Sequence, residues 1–317
     1  MNSGNTHAGA GQHTMTEADF RELYGRLRSL LPWHHADRRG ALNYLTPRRT
    51  LAAASLVRLG RSVSLAAPIE NRTTPDNPHP AVHEMTGTGA DAGEDGLCFG
   101  TDRIEMNVHG NADSHIDALC HVMFDAALYN GVPADAVTSS GAEQLSIAAA
   151  KDGIAGRAVL LDIPAVRGTK WLEPGDYVTV ADLLAAEERQ QVHAGAGDVL
   201  FVRVGHRRRR NERQPWDAAA ARAGLHPAVM PLLAERQIAV LGSDSNSDTA
   251  PSAVQGVDFP VHVLAINALG MLLLDYLQFE DVLPLCSENK QWAFLCVIAP
   301  LRLPRGTGSP VNPIAIL

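Results

Sequence analysis

The sequence predicts an α/β fold in one domain, with an irregular N-terminal third. From Arg157 onward, short apolar runs of strand type alternate with segments of helical period, the pattern that builds βα units. The composition, 45% apolar and 20% charged over 317 residues, is that of a globular protein long enough to bury a large core. No internal repeat divides the chain.

In chain order, residues 1–15 (MNSGNTHAGAGQHTM) are Gly-rich and polar. They read as a disordered leader without the basic-then-apolar layout of a secretory signal, which leaves the domain at 16–317. Thr16-x-x-Asp19 has the form of a capping box, and Phe20, Leu23, Tyr24, Leu27 and Leu31 repeat at helical spacing behind it. A second helix is expected from Thr46 to Gly60, with Thr46 as cap and Pro47 at the first helical position. RSVSLAAPI, 61–69, alternates as a strand does, and 71–100, rich in Pro, Gly, Asp and Thr, reads as a long irregular loop walling the site.

The βα half follows. Strands are expected at 157–163, 198–204, 238–242 and 292–299; helices are expected from Thr179, over 226–236, and over 262–274 with Gly270 internal. The polar run SDSNSD, 243–248, sits just after a strand end. There Asp244 and Asp248 serve either an active-site loop or a turn or helix cap.

Bulk chemistry narrows the function. A net charge of −8 argues against a nucleic-acid partner, and the run Arg207–Arg210 followed by Arg213 reads as a solvated loop rather than an anion-binding patch. No apolar stretch reaches the ~18 residues a membrane span needs. Cys98, Cys120, Cys286 and Cys296 form no C-x-x-C pair and read as reduced core thiols of a cytoplasmic protein. Cys120 beside His121 makes no nucleophile–base pair, because adjacent side chains on a strand point apart.

The chemistry concentrates in HGNADSHIDALCH, 109–121. Three histidines and two aspartates within this segment exceed what a solvated strand requires. His109, Asn111, Asp113, His115, Asp117 and His121 share one parity, so an extended chain turns them to one face, and a helical turn still pairs Asp117 with His121. Imidazole and carboxylate are the donors that hold Mn²⁺, Fe²⁺ or Zn²⁺. His262 alone reads as a satisfied core histidine. Asp275 inside LLLDYL needs a partner if buried, and a metal or His262 would supply one.

SHIDALCH resembles the second half of H-x-G-T-H-x-D-x-P-x-H, the signature of the cyclase family, which includes bacterial kynurenine formamidases and isatin hydrolases. The resemblance runs from about residue 40 through GALNYLTP, GDVLFVRVG, VLGSDSNSD, HVLAINALGMLLLDYLQFEDV and APLRLPRGTGSPVNP. It implies the swivelling β/β/α fold of kynurenine formamidases, a mixed sheet flanked by helices. It also implies a metal-dependent hydrolase that cleaves an amide, lactam or ester of a small molecule, assembled as a homodimer or homotetramer. Carried over, the metal ligands are Asn111, His115, Asp117, His262 and Asp275, and His121 is the proton donor and acceptor. A divalent ion at such a site lowers the pKa of water toward ~7.

The departures shape this expectation. Asn111 stands for the signature's first histidine, Asp113-Ser114 for its Gly-Thr, and Leu119 for its Pro. Amide oxygen is a weaker, harder donor than imidazole, which favours Mn²⁺ over a tight two-zinc centre and leaves open whether His109 swings in. Asp275 in place of Glu shortens the reach at the distal position. One divalent ion, Mn or Zn, is therefore expected. The competing readings are a tailoring cyclase, lyase or dehydratase using the same site, and a non-catalytic binding member of the fold.

Overall fold

Four parallel strands, Ile154–Asp162, Val199–Arg203, Val240–Ser243 and Leu272–Asp275, lie side by side at the centre of the computed structural model, which describes residues 15–30, 32–93 and 95–317. Being covered on both faces, they read as nearly continuous apolar runs, which is why their positions are visible in the sequence. Antiparallel strands extend the sheet both ways. Ala293–Ile298, Ile314–Ile316 and Ser62–Ser64 lie on one side; His115–Asp117 and then Gly308–Pro310 lie on the other, giving nine strands.

The C-terminal strands show that this sheet is curled. Gly308–Pro310 and Ile314–Ile316 are seven places apart in the strand order but are joined by residues 311–313 alone. Flat, those strands would stand about 34 Å apart at ~4.8 Å per strand, whereas the connecting chain reaches only about 14 Å. The sheet curls until its ends approach.

The helices flank it. Glu17–Ser29 begins with the expected capping box, in which Thr16 accepts from the Asp19 amide and the Asp19 side chain returns to the Thr16 amide, and it buries Phe20, Leu23, Tyr24 and Leu27. Leu31 and residues 1–14 lie outside the described residues; Met15, the last residue of the expected leader, bridges Val254. Val180–Gln190 is capped by Thr179 and Asp182 in the same way, and Gln190 donates to the Leu160 carbonyl of the central sheet.

Several expectations are corrected. The helix at Pro47 stops at Ala54, not Gly60, because Ser55 turns its hydroxyl back onto the Ala52 carbonyl and Leu59 is drawn to the Leu317 carbonyl. The strand expected over 61–69 is confined to Ser62–Ser64, and the helix over 226–236 to a single turn at Pro227–Val229 followed by Met230–Glu235. The loop 71–100 holds strand Val82–Gly87, paired with Thr101–Glu105; both strands face solvent, so no apolar alternation marks them. The arginine run is helical, His206–Arg213, and is engaged rather than solvated. Arg207 is buried against the carbonyls of Ala112, Tyr276 and Leu277, Arg210 pairs with Asp76 and Glu70, and Arg209 pairs with Glu173.

The largest revision falls at 262–274, where the sequence predicts one helix. Pro260–His262 leads into a π-helical segment, Val263–Ala268, and Leu272–Asp275 is a central strand. A short apolar run fits a buried helix and a buried strand equally well, so period does not separate them. Gly270 makes the break. It sits at φ +64, and a Cβ there would lie 2.5 Å from the Tyr129 ring and 2.8 Å from the Gly40 Cα. Gly270→Ala is expected to destabilise the protein by about 2–5 kcal/mol, combining left-handed strain with overpacking. A fall in denaturant midpoint at unchanged slope checks this. Among the thiols, Cys120, Cys286 and Cys296 are buried as expected and Cys98 is half-buried; burial pushes the Cys120 thiol up to about 11, which keeps it inert.

Candidate metal centre

Strand register assembles the first part of the site. His115–Asp117 runs antiparallel to Leu272–Asp275 with His115 opposite Asp275 and Asp117 opposite Leu273. Cross-strand partners share a face, so His115, Asp117 and Asp275 project together while Ile116 enters the core. His262 arrives from the short helix that follows the SDSNSD loop.

The Asp117 carboxylate is the hub and is fully buried. Its Oδ1 is 2.8 Å from His109 Nδ1 and 3.7 Å from His115 Nε2; its Oδ2 is 3.4 Å from His262 Nε2. His262 Nε2 is also 3.4 Å from Asp275 Oδ2. Among the described residues, two groups therefore have all ligand atoms within 4.8 Å of one another: His109, His115 and Asp117, and Asp117, His262 and Asp275.

The outer contacts decide what these imidazoles can do. His115 Nδ1 is 2.9 Å from the Asp113 carbonyl, which can only accept, so Nδ1 carries the hydrogen. His262 Nδ1 is 2.6 Å from the Asp248 carboxylate, whose oxygens also accept the amides of Val261 and His262. In their neutral forms both rings therefore turn an Nε2 lone pair toward carboxylate oxygen. Lone pairs facing carboxylates repel unless a positive charge lies between them, and Asp117 Oδ2 is a buried oxygen with no hydrogen-bond partner among the described residues. The donor set fits a divalent cation.

The electrostatics agree. Burial lowers the affinity of His262 for a proton, but Asp117, Asp248 and Asp275 outweigh it and raise its pKa well above the imidazole range. Burial would raise the Asp117 carboxyl, yet the surrounding histidines, chiefly His121, His109 and His262, hold it well below the usual range. Without metal, a proton on His262 supplies positive charge beside the carboxylates.

Asp275 is held by Ser247, through amide and hydroxyl, and by the Asn246 side chain. In SDSNSD, Asp248 is both helix cap and orienter of His262, joining the two roles the sequence leaves open; Asp244 instead accepts the amides of Val204 and Gly205. Asp248→Asn is expected to lower metal affinity 10–100-fold, the usual effect of removing an outer partner of a ligating histidine. Calorimetric titration of the apo-protein reads this directly.

Asn111 lines the same cavity, but its Oδ1 accepts from the Tyr276 hydroxyl at 2.9 Å, so the oxygen expected to ligate is already engaged. Asp113 is drawn away to the Glu70 amide. His121 lies on the cavity wall, stacked on His109 with ring centroids 3.8 Å apart and planes 11° from parallel. Burial pushes its pKa down to about 4 against the pull of Asp117, so it is a neutral base at pH 7. The cavity holds about 590 Å³, with Phe124, Val257 and Phe259 as apolar walls and Arg21 at its edge.

The family model described as "Putative cyclase" matches residues 63–248, more than half of the chain. The chain belongs to the cyclase family. A solved structure described as a novel cyclase is 31% identical, with a TM-score of 0.82 over 93% of this chain and 99% of that one. Isatin hydrolase A from Ralstonia solanacearum is 22% identical (TM-score 0.55, 86% of this chain and 97% of that one). Isatin hydrolase A from Labrenzia aggregata, solved with benzyl benzoate, is 19% identical (TM-score 0.56, 85% and 98%). No curated protein matches. The curled mixed sheet flanked by helices is thus the cyclase-family fold expected from the sequence. The family match ends at Asp248, so the placement of His262 and Asp275 comes from the structure. Sequence reasoning leaves Tyr276 and Thr307 unnamed and His109 only as an alternative; their signal lies in contacts between distant segments.

Proposed function

We propose that this cyclase-family protein is a metal-dependent hydrolase that opens an amide, lactam or ester bond in a small molecule. The observation that carries the reading is the Asp117 carboxylate, buried with one oxygen unpartnered and faced by the Nε2 atoms of His115 and His262 beside a cavity of about 590 Å³. His115, Asp117, His262 and Asp275 would hold one divalent ion, Mn²⁺ or Zn²⁺. Such an ion, when bound, activates water and polarises a carbonyl oxygen.

The chain's own residues supply the rest. Asp248 and the Asp113 carbonyl fix the tautomers of the two ligating rings. His121 makes no side-chain hydrogen bond among the described residues and stands on the cavity wall as a neutral imidazole. It can take the proton of the attacking water and return it to the leaving nitrogen or oxygen as the C–N or C–O bond breaks. Phe124, Val257 and Phe259 offer a substrate apolar contact, with Arg21, Asn246 and Asp258 as polar groups on the same cavity.

The test pairs elemental analysis with turnover of isatin, a formylated aromatic amine and an aryl ester in ¹⁸O-labelled water, with Mn²⁺ or Zn²⁺ supplied. Stoichiometric metal and one labelled oxygen in the product support the reading. A product without label indicates cyclisation or elimination instead, and no turnover with either ion overturns the enzyme assignment.

A further inference from the structure

The cyclase signature begins with a histidine two residues after His109, and that position is Asn111 in this chain. Expecting Asn111 to ligate assumes an extended segment, but 108–114 is a succession of bends, so equal parity does not give a common face. The bends turn Asn111 to Tyr276 and His109 to Asp117. We infer that His109 is the missing imidazole ligand, acting from two residues out of the signature's register and joining His115 and Asp117 in holding the cation. The inference rests on the metal-dependent reading above.

Three further features support it. His109 Nε2 lies 3.0 Å from the Thr307 hydroxyl, which can accept the ring N–H and leave the Nδ1 lone pair toward the Asp117 and His115 side. This repeats the arrangement at His115 and His262, where an outer acceptor fixes one nitrogen and the other turns inward. The ring also occupies a shaped seat. A Cβ on Gly308 would lie 2.7 Å from His109 Cε1 and 2.6 Å from the Ile116 carbonyl, so only glycine leaves room for the imidazole there. Finally, His109 packs edge-on against His115, with centroids 5.5 Å apart and planes at 86°, which lets two rings approach one ion from different directions.

The alternative is that His109 only donates to Asp117 and orients it. Calorimetric titration of the apo-protein with Mn²⁺, and separately Zn²⁺, distinguishes the two, using wild type, His109→Ala, Asn111→Ala and Gly308→Ala, with the melting temperature in EDTA confirming that each variant is folded. A ligating His109 predicts an affinity loss of more than about 100-fold, or loss of a bound equivalent, in His109→Ala, a loss in the same direction in Gly308→Ala, and a change under about 3-fold in Asn111→Ala, since loss of an outer partner alone costs only 10–100-fold. A smaller loss in His109→Ala, or a large loss in Asn111→Ala, overturns the inference while leaving the metal-dependent reading intact. Failure of the wild-type protein to bind either ion overturns both.

Discussion

Asp117→Asn is expected to abolish stoichiometric metal binding while leaving the protein folded. The substitution keeps shape and volume but removes the charge that faces His109, His115 and His262 together, and Asp117 is the one side chain common to both potential ligand groups. The readout is thermal. An ion at about 100 times its dissociation constant stabilises the wild-type protein by about 2.7 kcal/mol. For a chain of this size that corresponds to a rise of about 4 °C in melting temperature. The Asp117→Asn variant should show no rise with Mn²⁺ or Zn²⁺, and a rise equal to that of the wild type would place the ion elsewhere.

His121→Ala should separate binding from chemistry. The His121 ring holds no other side chain by hydrogen bonds among the described residues, and its nearest ring contact is the stacked face of His109. Metal content should therefore stay stoichiometric while kcat falls by about 10²–10⁴, the range for loss of a general acid–base. KM should move little, because the apolar walls that receive the substrate remain. Unchanged kcat would remove His121 from proton transfer, and loss of metal would make it a ligand.

Legibility follows burial. Strands covered on both faces, such as Val199–Arg203, announce themselves as unbroken apolar runs, and the capping boxes at Thr16 and Thr179 mark helix starts. The hairpin Val82–Gly87 with Thr101–Glu105 carries no such mark because neither face is buried. Leu272–Asp275 carries a misleading one, since a buried strand after an apolar helical segment continues its composition without a change in period. In the site, His115, Asp117, His121, His262 and Asp275 are visible as residue types in a motif. The exchange of His109 for Asn111 is visible only as an open alternative, because it depends on Thr307 and Gly308, with 198 positions separating His109 from Thr307.

That separation bears on how the centre is made. The strand Gly308–Pro310 is the outer neighbour of His115–Asp117, and the residue before it receives the His109 ring. During synthesis the histidine-bearing loop therefore emerges almost two hundred residues ahead of the segment that floors it. Contacts of such long range form late. The His109 side of the site is therefore expected to be completed late in folding, which would make a bound cation a clasp on an assembled protein rather than a seed around which the chain first gathers.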